Sequence, residues 1–188
     1  MTLTSLSIAG FPPLTWHGHP TAGGYDREQQ RLSITARAGT DWFTDPLNGE
    51  RNASAAALLF EPEGDFAMSV RVTANFEDTF DVSVLCLWQS QEQWAKLCFE
   101  RSPQGEAMVV SVVTKGISDD VNGVAIKGNS VCLRLLRTGL AYAFHYSLDG
   151  STMYAGFMVQ APGTVESTST FEAISLSHQV PADLRQGA

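Results

Sequence analysis

Between Asp65 and Asn75 every second residue is apolar: Phe66, Met68, Val70 and Val72 alternate with Ser69, Arg71 and Thr73. Successive side chains of a strand point to opposite faces, so this period predicts a half-buried strand with one wet side. Residues 93–100 repeat the pattern with a different second row. Ala95, Leu97 and Phe99 are apolar, while Trp94, Lys96, Cys98 and Glu100 occupy the places between. Further strand candidates are 31–37, 54–60, 80–88, 107–114, 130–137, 140–148, 153–160 and 171–177, and helical spacing is nearly absent. Turn chemistry separates them at Glu63-Gly64-Asp65, Ser102-Pro103-Gln104-Gly105, Lys127-Gly128-Asn129, Thr138-Gly139 and Asp149-Gly150. Many short strands at regular intervals predict an all-β, antiparallel β-sandwich.

Two segments carry additional information. Residues 80–88 begin with alternation and become apolar on both faces, as a strand covered on both sides would. In 140–148, Tyr142, Phe144, Tyr146 and Leu148 form a row assigned to the core, opposite Ala141, Ala143, His145 and Ser147. A length of 188 residues suits one domain. The first thirty residues and the tail after His178 read as irregular.

The formal charge of −8 repels phosphate backbones and anionic membranes, which argues against nucleic acid as a partner. No run approaches the roughly eighteen apolar residues of a membrane span, and no Lys or Arg precedes an apolar run at the start of the chain, so no secretory signal is expected. Cys86, Cys98 and Cys132 are an odd set without CxxC spacing, each within an apolar strand-like segment, which fits small packing residues in a reducing, cytoplasmic setting.

Several short motifs stand in a recognisable order: Gly39-Thr40-Asp41-Trp42-Phe43-Thr44-Asp45-Pro46, Glu63-Gly64-Asp65-Phe66, Gln93-Trp94-Ala95-Lys96-Leu97-Cys98-Phe99-Glu100, Ser111-Val112-Val113-Thr114-Lys115-Gly116 followed by Ser118-Asp119, and Tyr146-Ser147-Leu148-Asp149-Gly150. In order and spacing they resemble the family of domains of unknown function numbered 1349 (DUF1349), over residues 32–177. The resemblance implies a jelly-roll sandwich of the concanavalin A-like lectin/glucanase kind, with the row of Trp94, Lys96 and Glu100 on its concave sheet. Sugar binding in that family follows largely from the fold, and fold alone does not carry function. Val82 and Val84 stand where the family commonly has a polar residue and a glycine, so no role is assigned to that strand beyond Asp81.

An indole stacks on the apolar face of a sugar while a carboxylate and an ammonium bond its hydroxyls, so Trp94, Lys96 and Glu100 are the leading ligand-binding candidates. The bland alternative is a surface ion pair beside a packed tryptophan. Trp42 and Asp45 are candidates for the rim, against an edge-closing tryptophan and a turn-initiating aspartate. Asp81, Thr114, Ser118 and Asp119 are secondary candidates. Glu100 with Asp81 is the best pair for glycoside hydrolysis, which needs two carboxylates flanking the bond. The ExDxE strand motif of several glucanases is missing, as are GxSxG and HExxH. His17-Gly18-His19 lacks the further ligands that zinc requires, the spacing of Asp41, Asp45, Asn48 and Glu50 does not match a calcium loop, and His145 reads as a sheet histidine. No metal or cofactor is expected. The leading expectation is a non-catalytic domain binding a carbohydrate or polyol. The alternatives are a glycosidase using Glu100 and an intracellular domain that binds another protein through a sheet face.

Overall fold

The structure, a computed structural model, describes residues 5–142 and 154–177. Sixteen strands follow one another: β1 (Ser5–Leu6), β2 (Leu14–His17), β3 (Ala22–Asp26), β4 (Arg31–Ala36), β5 (Trp42–Thr44), β6 (Arg51–Ala53), β7 (Ala57–Phe60), β8 (Phe66–Ala74), β9 (Val82–Ser90), β10 (Gln93–Arg101), β11 (Ala107–Lys115), β12 (Ile117–Ala125), β13 (Ser130–Thr138), β14 (Ala141–Tyr142), β15 (Tyr154–Gln160) and β16 (Ser167–Ser177). Among the described residues there is no helix, and so none long and apolar enough to cross a membrane.

Two antiparallel sheets form a sandwich. The larger runs β1-β2-β7-β15-β9-β10-β11-β12, the smaller β14-β13-β8-β16-β4-β3, and β5-β6 is a separate hairpin. The alternation in 66–72 is realised as expected: Phe66, Met68, Val70 and Val72 are buried and Arg71 is exposed. They meet Leu85, Leu87, Leu97, Phe99 and Phe157 from the larger sheet in the core between the sheets. A second apolar cluster lies on the opposite face of the larger sheet, where Val82, Val84, Cys86, Trp88, Trp94, Cys98, Val110 and Val112 are packed with Trp42 and Ala55. That second cluster explains why 80–88 is apolar on both sides. β9 carries one core on each face.

The N-terminal segment departs from expectation. Residues 5–26 contain three short strands that extend both sheets, because β2 pairs with β7 and β3 with β4, and Leu14 is fully buried. Residues 117–125, not read as a strand, form β12 at the edge of the larger sheet. Cys86 and Cys98 are buried as expected, but Cys132 is exposed because it falls on the outward row of β13, between Val131 and the buried Leu133. Tyr142 is buried. Phe144, Tyr146, Leu148, Ala143, His145, Ser147, the Asp149-Gly150 turn, the Tyr146–Gly150 motif and the tail after His178 lie outside the described residues.

Gly156 fixes how closely β15 approaches β7. It pairs with Leu59 and with Cys86 on the two sides, its carbonyl accepts the Cys86 thiol at 3.3 Å, and a Cβ there would run into the carbonyl oxygen of Leu58. Backbone cannot yield as a flexible side chain does. Gly156→Ala is therefore expected to lower the free energy of unfolding by about 3 kcal/mol or more in urea titrations; a loss below about 1 kcal/mol would contradict this spacing.

Candidate functional site

Parity places Trp94, Lys96, Cys98 and Glu100 together on the face of β10 that points away from the smaller sheet, as expected. The face is not open. Residues 41–55, containing the β5-β6 hairpin, cross it as a strap, and what the sequence offered as a binding row lies largely beneath. Asp41 accepts backbone N–H groups from Ser54 and Ala55 through its carbonyl, closing the strap on itself.

Trp94 is only 2% exposed. Its ring lies 5.9 Å from that of Trp42, which in turn lies 4.5 Å from Trp88, and His17 packs at 4.5 Å on Trp88. A ring covered on both sides offers no face to a sugar, so the expected stacking role of Trp94 does not hold. Trp42 is likewise fully buried, donating its indole N–H to the Ala55 carbonyl at 2.9 Å. It closes the strap rather than forming an open rim. Burial lowers the His17 pKa, as for any imidazole that loses water.

The other candidates sort by the same logic. Asp45 caps a turn, its Oδ1 accepting the Leu47 N–H at 2.7 Å. Thr114 and Ser118 are buried and hydrogen-bonded to each other at 2.7 Å, and the Ser118 hydroxyl accepts the Thr44 N–H at 2.8 Å, so this pair ties the strap to β11 and β12. Asp119 falls on the opposite row of β12 and is exposed. Asp81 is fully buried, with Oδ2 accepting the N–H groups of Glu77 and Asp78 at 2.9 and 3.0 Å. Loss of water pushes its pKa up, partly offset by those two hydrogen bonds. It organises a turn and does not line the site, so the expected pairing of Glu100 with Asp81 is not formed. Among the described residues no group of three His, Cys, Asp or Glu side chains is placed to hold a metal. Asn48 Oδ1 accepts the Glu50 N–H, and His19 is exposed.

Lys96 and Glu100 do meet at a cavity. A pocket of about 270 Å³ is lined by Asp41, Phe43, Phe80, Lys96, Glu100, Val110, Val112, Asp120 and Gln160. Sheet register explains the convergence. Lys96 on β10 stands opposite Val112 on β11, which stands opposite Asp120 on β12, while Glu100 opposes Val82, the partner of Gln160 on β15. The strap supplies Asp41 and Phe43. Phe80 comes from the turn before β9.

The ammonium of Lys96, 4% exposed, donates to the Trp42 carbonyl at 2.7 Å, to Gln160 Oε1 at 2.9 Å and to Asp41 Oδ1 at 3.4 Å. The Gln160 amide also donates to Asp41 Oδ1. Burial alone would favour the neutral amine, but the carboxylates, Asp41 foremost, outweigh it and hold the Lys96 pKa above its ordinary value. The neighbouring thiols are inert: burial pushes Cys86 up to about 12 and Cys98 well above the usual range.

Glu100 is partly buried, and loss of water raises its pKa from 4.5 to about 7; Lys96 opposes that rise, whereas Asp41 and Asp120 add to it. Phe80 is 46% exposed at φ +67°, the left-handed region that a bulky residue rarely adopts. Its N–H donates to the Arg101 carbonyl at 2.8 Å. Conformations of this kind cost on the order of 1–3 kcal/mol and cluster at functional sites. Sequence reasoning missed Phe43, Phe80, Asp120 and Gln160 altogether and weighed Asp41 only as a calcium ligand.

The Glu100 proton has a consequence for stability. Below about pH 4.5 the carboxyl is protonated in both states and makes no difference; as pH rises to about 7 the unfolded chain ionises first, so the folded state loses stability, and above that the loss is complete. Glu100→Gln removes the loss. It is expected to match the wild type near pH 4 and to be more stable by about 1–2 kcal/mol near pH 8, a figure reduced for partial solvent exposure. A stability difference between the two that does not change with pH would contradict this.

Comparison with known proteins agrees with this architecture. A functionally unknown protein from Saccharomyces cerevisiae shares the fold with a TM-score of 0.75 at 22% identity, over 89% of this chain and 97% of the yeast chain. The GH43 protein BlXynB from Bacillus licheniformis matches with a TM-score of 0.58 at 10% identity, over 80% of this chain but 33% of that one. A bifunctional GH43-CE protein from Bacteroides eggerthii matches with a TM-score of 0.61 at 13% identity, over 89% of this chain and 24% of that one. Among curated proteins there is no match. The family model described as a protein of unknown function, DUF1349, matches residues 16–179, and with almost the whole length so covered the chain belongs to that family.

Proposed function

We propose that this protein is a non-catalytic binding domain that takes one sugar residue or a polyol of similar size in the pocket lined by Phe43 and Phe80. The observation that carries the reading is the pocket itself: two phenylalanines and two valines beside three carboxyl groups, on a sheet that holds them in fixed register. A volume of about 270 Å³ lies at the small end of ligand sites, which run from roughly 300 to 1,000 Å³, and admits a ring rather than a chain. Aromatic rings cover the apolar face of a sugar, and carboxylates accept from its hydroxyls. The two GH43 proteins that share the fold are several times longer than the portion matched, so the sandwich occurs there as one part of a larger chain. The free thiols of Cys86, Cys98 and Cys132 support a cytoplasmic setting.

A second reading, a glycosidase with Glu100 as general acid, is favoured by one observation. Its pKa near 7 keeps a proton available at neutral pH, while Asp41 and Asp120 supply further carboxylates in the same pocket. The binding reading ranks first because Asp41 is already committed to Lys96 and Gln160, Asp120 stands at an exposed position, and the ExDxE strand motif is missing. Hydrolysis of any glycoside that is abolished in Glu100→Gln would reverse the ranking.

Titration of the full chain with a panel of neutral monosaccharides, followed by ligand-observed NMR, tests the binding reading. At least one is expected to bind with a dissociation constant in about the millimolar range, and Phe80→Ala to weaken it about tenfold without lowering the melting temperature. Unchanged affinity in Phe80→Ala would move the ligand away from this pocket.

A further inference from the structure

We propose that this pocket selects ligands bearing a protonated amine, an amino sugar over its neutral or acidic counterparts, because its one ammonium is already paired and three carboxyl groups share the cavity with it. The inference rests on the sugar-sized reading above and names the ligand class. An ammonium has three N–H groups, and those of Lys96 point to the Trp42 carbonyl, Gln160 and Asp41. The Gln160 amide donates to the same Asp41 oxygen. Lys96 thus serves the strap and has no donor left for a ligand.

Beside the second N–H of the Gln160 amide, the groups that remain are carboxyls. Glu100 and Asp120 have no hydrogen-bond partner among the described residues, and Asp41 has only Oδ1 engaged. Three carboxyl groups and one ammonium line the cavity. An acidic sugar would bring a fourth carboxyl group to a cavity whose only ammonium is already engaged, and would be repelled. A neutral sugar can donate its hydroxyls but leaves the excess negative charge unbalanced. A ligand ammonium supplies the missing countercharge, and the aromatic side chains of Phe43 and Phe80 line the same cavity. Burial, opposed by Lys96, is the main reason that Glu100 retains a proton toward neutral pH, and Asp41 and Asp120 add to it.

The test is calorimetric titration of the full chain at pH 7 and low ionic strength with glucosamine, glucose, glucuronate and 1,4-diaminobutane. Glucosamine is expected to bind about tenfold more tightly than glucose, with glucuronate undetectable. Asp120→Asn, at an exposed position, is expected to bring the glucosamine-to-glucose ratio toward one while the melting temperature stays put. Glucose binding as tightly as glucosamine, or glucuronate binding more tightly than either, overturns the inference and leaves the sugar reading standing. Diaminobutane binding without any sugar supports selection of cations and overturns the sugar reading. Failure of all four overturns both.

Discussion

The arrangement of the site depends on one buried cation. An ammonium withdrawn from water costs several kcal/mol unless it is fully paired, and Lys96 lies in the middle of the larger sheet beneath residues 41–55. Its partners come from two distant places, the strap at Asp41 and Trp42 and the last residue of β15, Gln160. Pairing the charge therefore fixes the strap over the sheet. Trp42 is then held against Trp88 and Trp94 as a dry cluster at one end, and Asp41 with Phe43 becomes one wall of the cavity at the other. The Thr114–Ser118 pair, which receives the Thr44 N–H, fastens the same strap farther along.

This division of labour explains why one strand row contributes to both structure and site. Along β10 the outward side chains run from a covered tryptophan, through a paired ammonium and an inert thiol, to a carboxyl group with no hydrogen-bond partner among the described residues. Residues 41–55 cover Trp94 and Lys96, whereas Glu100 lines the cavity together with Asp41 and Phe43 of the same strap. Phe80, at positive φ beside the Asp81 turn with its N–H on the Arg101 carbonyl, adds to the lining. The cavity is thus lined by three carboxyl groups and two phenylalanines.

Much of the scaffold was legible because strand parity is a local property. The alternation in 66–72 and 94–100 gave the correct faces, and the doubly apolar 80–88 correctly announced cover on both sides. Parity tells which face a side chain takes but not what lies above it, and for that reason Trp94 read as a binding residue when a segment some forty residues earlier buries it. Asp41, Phe43, Phe80, Asp120 and Gln160 converge from the strap, a turn and two strands, and no local pattern brings them together. One signal was available for two of them: Gln160 follows Met158, and Asp120 follows Ser118, on the same row as the second apolar cluster. β12 itself was missed because Ser118, Asp119, Asp120 and Asn122 give an edge strand too polar to stand out against turn composition.

Hydrogen exchange of Lys96→Met, with amide protection compared between residues 41–55 and strand β8, tests directly whether the paired ammonium holds the strap. If it does, protection falls across 41–55 by at least about tenfold while the amides of β8 keep the protection of the wild type. Unchanged protection in the strap, or an equal loss in strap and β8, would show that Lys96 does not have this role.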